Sequence, residues 1–217
     1  MFYKIAVIVL KVLVFLIFDL KVYNKENLDN IEGSLIICGN HRSMIDPVIL
    51  AISTKRQIHF MGKKELFENK FLSFIFRNLG AFPVDRKGVS LSAIKNSLNV
   101  LNNGGILGIY PEGTRVRTGF DEKNAKSGIA LIANKAKVKI MPVYMEGPYK
   151  FRGKLRLHIG KEKDYFENYS GKLNSEKYTE IGIEILKDIY NLKNEGIQWK
   201  YLFRNTTVFA EASRLPY

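Results

Sequence analysis

The sequence predicts a single layered α/β domain, with a mostly parallel central sheet flanked by helices, preceded by an apolar N-terminal helix. Three observations lead there. Short apolar runs that read as buried strands alternate with segments of helical periodicity, the pattern of a layered α/β sheet. Glycines and turn residues close most of the runs. The first twenty residues, MFYKIAVIVLKVLVFLIFDL, are apolar around the helical circumference and are broken chiefly by Lys4 and Lys11.

As an ideal helix, residues 2–20 would be about 28 Å long, close to the roughly 30 Å of a bilayer's hydrocarbon core. Lys11 would fall near the middle, where a charge is costly unless its ammonium reaches towards headgroups. The stretch reads as a retained membrane anchor over residues 1–22, with the domain proper over 23–217. A cleaved signal would need a small-x-small site, whereas FDLKVYNKENL is bulky and charged. A buried core helix is the other alternative. Spanning the bilayer and lying half-immersed both remain open.

After a polar, turn-rich stretch, SLIICG (34–39) reads as a buried strand and MIDPVILAIST (44–54) as a short helix. IHFMGK (58–63) is a second strand. KFLSFIFRNLG (70–80) is a helix stopped by Gly80, its aromatics suited to a core, to lipid or to an acyl chain. Residues 90–105 give the clearest helix: Ser90 is placed to cap it, Leu91, Ile94, Leu98 and Leu101 recur at helical spacing, and Asn-Asn-Gly-Gly ends it. ILGIY (106–110) is a strand, AKSGIALIANKA (125–136) a helix, and VKIMPVY (138–144) a strand that Pro142 marks as an edge or bulged one. KLRLHIG (154–160) alternates as a strand does. A charged helix follows over about 175–193.

A formal net charge of +13 favours anionic partners: nucleic acid, an anionic membrane or a phosphorylated substrate. No helix-turn-helix, zinc or RNA-recognition signature accompanies it, and the apolar N-terminus argues against nucleic acid. A basic membrane- or nucleic-acid-binding protein without catalysis is the non-enzyme alternative. The lone cysteine, Cys38, rules out an internal disulfide and fits a reducing compartment. No zinc or calcium spacing appears, so no metal is expected. His59 and His158 read as structural or solvated, and Cys38, ending an apolar run, as packing.

Three stretches carry candidate chemistry. In CGNHRSMIDP, His41 and Asp46 are five apart, too far for one helix face. They pair only if His41 sits in the turn before the helix and Asp46 folds back from its first turn. The carboxylate would then hold Nδ1 and leave Nε2 free as a general base. The competing reading is a helix cap beside a surface histidine. GAFPVDRKG supplies Arg86 and Lys87, a phosphate grip or two solvated cations. In ILGIYPEGTRVR, a strand empties into Glu112, Gly113, Arg115 and Arg117. Glycine there permits close backbone approach, and the arginines add charge where an anion would lie. Glu112 would meet a substrate hydroxyl or steady the arginines.

NHRSMID, GAFPVDR, YPEGTR and KIMPVY, in that order, resemble the four blocks of the glycerolipid acyltransferases, and within them the bacterial 1-acyl-glycerol-3-phosphate acyltransferases. The resemblance covers residues 34–147, and the apolar N-terminus is similar to the family's membrane anchor. It implies an O-acyltransferase of phospholipid biosynthesis. The acyl group would pass from acyl-CoA or acyl carrier protein, as co-substrate, to lysophosphatidic acid, giving phosphatidic acid. It implies no cofactor, a lipid membrane as partner, and an active site on the cytoplasmic side of the cell membrane. His41 becomes the general base and Asp46 its orienter. Arg86, Glu112, Gly113, Thr114 and Arg115 match acceptor-binding positions, with Lys87 and Arg117 beside them. The Pro142 block would line the acyl or thioester side. Tyr110 stands where many members carry phenylalanine. Glycerol-3-phosphate or another lyso-lipid remains an alternative acceptor.

Overall fold

Strand β2 (Leu35–Gly39) is buried along its whole length. Leu35 and Ile37 point into one core, and Ile36 and Cys38 into another. A strand apolar on both faces requires cover on both faces, and the rest of the chain supplies it. The computed structural model describes residues 2–85, 91–169 and 171–212, with side chains described as far as Lys193.

The other strands are β1 (Phe18–Tyr23), β3 (Ile58–Lys63), β4 (Phe82–Val84), β5 (Ile106–Ile109), β6 (Ile140–Glu146) and β7 (Gly153–Ile159). The helices are α1 (Phe2–Ile17), α2 (Glu26–Asp29), α3 (Asp46–Ser53), α4 (Lys70–Asn78), α5 (Leu91–Asn102), α6 (Gly128–Ala136) and α7 (Ser175–Ala212). Among the described residues the strands form one sheet in the order β1-β7-β6-β2-β5-β3-β4. Every neighbouring pair is parallel except β6 and β7. The predicted layered α/β architecture is therefore the observed one.

Val14 of α1 and Ile49 and Leu50 of α3 cover one face of the sheet. On the other face lie Leu101 of α5, Ile129 and Ile132 of α6, and Ile181, Ile185, Ile189 and Leu192 of α7. The α7 set is spaced four, four and three apart, one stripe of a helix. Helix α6 ends where Lys137 turns left-handed, at φ 52°.

Several expectations change. The stretch 1–22 is not one helix: α1 ends at Ile17, and β1 begins at Phe18 and pairs with β7 from Gly153 to His158. Val22 and Leu20 alternate with Lys21 and Asp19, and that period of two suits a half-covered strand better than a helix. Strand β6 is not at an edge, since it lies between β7 and β2. Nor is β6 bulged at Pro142: it pairs with β2 in unbroken register from Ile140 to Val143, and the extra residue lies on the facing segment after β7, where Val143 faces Ile159 but Ile140 faces Lys163. Pro142, which has no N–H to give, still accepts from Gly160 N. The charged helix runs on to Ala212. On α4, Phe71 and Phe74 are exposed while Phe76 meets Phe67, so its aromatics divide between solvent and packing. Arg86, Lys87 and the Ser90 cap lie outside the described residues.

Candidate active site

Two parallel neighbours, β2 and β5, end side by side, and each runs into one of the polar motifs. This is the carboxyl edge of the sheet, where open α/β folds gather ligands. Asn40 first extends β2 by side chain: its amide donates to Met145 O at 2.9 Å and accepts from Met145 N at 2.7 Å. The chain then turns through residues 41–45 into α3.

Asp46, the first residue of α3, has no solvent exposure. Its Oδ2 takes His41 Nδ1 at 3.0 Å and the main-chain N–H groups of Arg42 and Ser43, each at 2.7 Å. Those donors precede the helix, so Asp46 does not cap it; the carboxylate folds back on the turn that carries His41. The spacing of five therefore works as the pairing requires. With Asp46 ionised, Nδ1 carries the proton and Nε2 is left as acceptor.

From the other side comes Glu112, only 2% exposed. Its Oε2 accepts from His41 N at 2.7 Å and its Oε1 from the Tyr190 hydroxyl at 2.7 Å. Both oxygens of Glu112 are thus engaged within the protein, while the residue still borders the cleft beside His41. Burial pushes its carboxyl up, and the His41 N–H and Tyr190 hydrogen bonds oppose that shift. The two motif loops are also joined where Val116 N donates to His41 O at 2.7 Å.

Beside His41 opens a cleft of about 690 Å³. Tyr110 stacks on the imidazole, ring centroids 4.2 Å apart, and Phe60 lies 6.3 Å beyond it. Met61, Val84, Ile94, Ile109, Ile129 and Ile132 make the cleft's apolar wall; its polar part includes Asp85, Glu112, Gly113, Thr114, Asn124, Lys126, Ser127 and Thr179. Gly113 is left-handed, at φ 66°, a conformation glycine adopts without cost. Arg115 and Arg117 are exposed on the same loop, outside the lining, and neither is ion-paired among the described residues. Pro142 is absent from this lining and borders a separate cavity near Gly160, so its block does not line the His41 cleft as expected. Cys38 packs in the core, and burial pushes its thiol well up.

The chain matches the family model named Acyltransferase over residues 19–146, more than half its length. It is 38% identical over 164 residues to the 1-acyl-sn-glycerol-3-phosphate acyltransferase of Bacillus subtilis, covering 73% of this chain and 80% of that one. The chain belongs to the acyltransferase family. The enzyme of the same name from Streptococcus pneumoniae is 35% identical over 184 residues, 82% of this chain and 67% of that one. Among solved structures, the fold resembles the 1-acyl-sn-glycerophosphate (LPA) acyltransferase PlsC from Thermotoga maritima. There the TM-score is 0.62 at 23% identity, covering 88% of this chain and 77% of the other.

Within this acyltransferase, the structure brings His41, Asp46, Glu112, Gly113 and Thr114 together. It sets Arg115 and Arg117 at the margin of the same loop. Sequence reasoning missed Lys126, Tyr149 and Tyr190. Lys126 follows no motif, and its place beside Gly113 arises only because its N–H donates to Pro111 O. Tyr149 donates to Asp46 Oδ1 at 2.6 Å from a turn 103 residues away, a distance that spacing rules do not reach.

The Tyr110 hydroxyl is buried with no hydrogen-bond partner among the described residues. Burial pushes this phenol well up, and the nearby Asp46 charge adds to it. Such a group loses its water without replacement, at about 1–3 kcal/mol. Tyr110→Phe should therefore raise stability by about 1 kcal/mol, read as a higher urea midpoint at unchanged slope. An equal or lower midpoint would show that the hydroxyl is satisfied.

Proposed function

We propose that this chain is a 1-acyl-sn-glycerol-3-phosphate acyltransferase. It moves a fatty acyl group from acyl-CoA or acyl carrier protein to the free hydroxyl of lysophosphatidic acid, giving phosphatidic acid for phospholipid synthesis. The observation that carries the reading is the His41 imidazole, held through Nδ1 by the buried Asp46 carboxylate at the mouth of a largely apolar cleft. The names of the Bacillus and Streptococcus relatives point to the same reaction.

The chemistry follows from that geometry. The acceptor hydroxyl approaches Nε2 and gives up its proton as its oxygen attacks the thioester carbonyl. The tetrahedral intermediate collapses, the carbon–sulfur bond breaks, and the proton leaves with the thiol. A thioester is already activated, so the step needs neither a protein nucleophile nor a cofactor. Arg115 and Arg117, with Arg86 and Lys87, hold the acceptor phosphate and make the encounter a positioned one. The apolar wall of the cleft receives an acyl chain.

The same reading places the enzyme on the cytoplasmic side of the cell membrane, with α1 as its contact. Among the described residues no helix is long and apolar enough to cross a membrane. At 1.5 Å per residue α1 reaches about 24 Å, so it lies along the surface. Val7, Leu10 and Val14 face the core, spaced three and four apart. Ile5, Ile8, Val9, Val12 and Leu16 face away, each about half exposed or more. On an ideal helix Lys4 and Lys11, seven apart, fall on the edge between these faces, where their ammonium groups reach headgroups. The apolar strip continues at both ends. Phe2 packs edge-on against Phe74 of α4, and Ile17 O accepts from Arg152 N in the turn that also holds the 74% exposed Phe151. Lys150 and Arg152 flank that ring and suit anionic headgroups.

Acyl transfer measured with lysophosphatidic acid and acyl-CoA should vanish in His41→Ala while the melting temperature holds. Near-normal turnover in that variant would remove the base assignment. In Arg115→Ala, KM for lysophosphatidic acid should rise about tenfold, the loss of one charge-assisted contact. KM for the thioester should stay put, and the reverse pattern would exchange the two substrate sides. Ile8→Glu with Val12→Glu should cut binding to phosphatidylglycerol vesicles by at least about tenfold, since each side chain contributes roughly 1.5–3 kcal/mol on burial. Unchanged sedimentation with the vesicles would show that α1 does not face lipid.

A further inference from the structure

Two phenols beyond the residues matched by the family model complete the hydrogen bonding of the site's two carboxylates. Tyr149 stands in the turn between β6 and β7 and donates to Asp46 Oδ1 at 2.6 Å. Tyr190 stands on α7 and donates to Glu112 Oε1 at 2.7 Å. In both cases the other oxygen holds the loop that carries the base. Asp46 Oδ2 takes His41 Nδ1 and two main-chain N–H groups, and Glu112 Oε2 takes the N–H of His41 itself. Each carboxylate therefore faces the loop with one oxygen and a tyrosine with the other.

The last torsion of a carboxylate side chain is broad and nearly two-fold, so its plane is poorly set by the backbone alone. A donor on the far oxygen removes that freedom. Both tyrosines remain protonated donors, because burial, followed by the adjacent carboxylate, pushes the two phenols well up. A buried tyrosine needs an acceptor somewhere, and packing alone explains one such bond. It does not explain why both phenols, from unrelated elements, meet the free oxygens of the two carboxylates that hold one histidine.

We propose that Tyr149 and Tyr190 are positioning residues for acyl transfer. Tyr149 sets the plane of the Asp46 carboxylate and with it the tautomer and tilt of the His41 ring. Tyr190 sets Glu112 and with it the place of the His41 main chain over the cleft. The assignment rests on His41 acting as the base.

The test uses the full chain with Tyr149→Phe and Tyr190→Phe, which keep the rings and remove only the hydroxyls. Steady-state rates are measured with lysophosphatidic acid and acyl-CoA, alongside melting temperature and the ¹⁵N imidazole spectrum of the three histidines. Each variant should lose kcat by about tenfold or more, the worth of a hydrogen bond to a charged group. KM for both substrates should stay within about twofold. In Tyr149→Phe the His41 signals should change from one Nδ1-protonated tautomer to a mixture. In Tyr190→Phe they should not, because Glu112 meets only the His41 main chain. Unchanged kcat in either variant overturns that tyrosine's role, as does a kcat loss that merely follows a loss of folded protein. Should His41→Ala keep its turnover, the base assignment falls, and the Tyr149→Phe spectrum still decides whether Tyr149 sets the imidazole.

Discussion

A carboxylate sealed from water must find its partners inside the protein, and Asp46 organises the site by finding four. Leaving such a charge unpaired would cost several kcal/mol, so the surrounding chain is committed to supplying donors. Two are main-chain N–H groups, of Arg42 and Ser43, and they fix the course of the turn. One is the His41 ring, which therefore points where the turn sends it. The fourth, Tyr149, ties the β6–β7 turn to the start of α3. Glu112 repeats the device from the β5 side through the next N–H along, that of His41. Three consecutive amides thus end on two buried carboxylates, and the loop has little freedom to place His41 elsewhere.

The sheet decides what the histidine looks out on. Strand β2 has β6 on one side and β5 on the other, so the end of β2 borders two different environments. Towards β6 and β7 the ground is filled, with Asn40 bonded to the Met145 main chain and Tyr149 to Asp46. Towards β5 and β3 it is open and largely apolar. His41 stands on the boundary, with Nδ1 towards the filled side. An imidazole held this way has one nitrogen engaged by a buried carboxylate while the ring borders the cleft. Close contact helps to keep the open side in shape: Gly108 leaves room for the Phe60 ring, which a Cβ there would meet at 2.2 Å.

Much of this was legible beforehand, for physical reasons that differ from place to place. SLIICG and ILGIY announce buried parallel strands because they are apolar without alternation, and they are β2 and β5. Their polar continuations hold the site because strand ends in such sheets are where polar groups converge. The pairing of His41 with Asp46 could be anticipated because it is local. Strand β1 was hidden by the apolar helix that runs straight into it. Hydropathy averages over Phe18 and Leu20 and does not see Asp19 and Lys21 as the alternation they are. Pro142 was read as marking an edge or a bulged strand, and β6 is neither: the missing N–H costs the strand one donor while its pairing with β2 continues unbroken, and the irregularity falls on the facing segment after β7. Tyr149 and Tyr190 were beyond reach, since each meets its carboxylate across 78 residues or more.

The junction of α1 and β1 has a mechanical consequence. Ile17 ends the helix and Phe18 begins the strand, with no residue between them. Arg152 N bonds back to the last helical carbonyl and braces the corner. A tether would let the catalytic body swing and rotate over whatever the helix rests on. Here the body inherits the helix's attitude: whatever sets the direction of α1 also sets the direction in which the cleft opens.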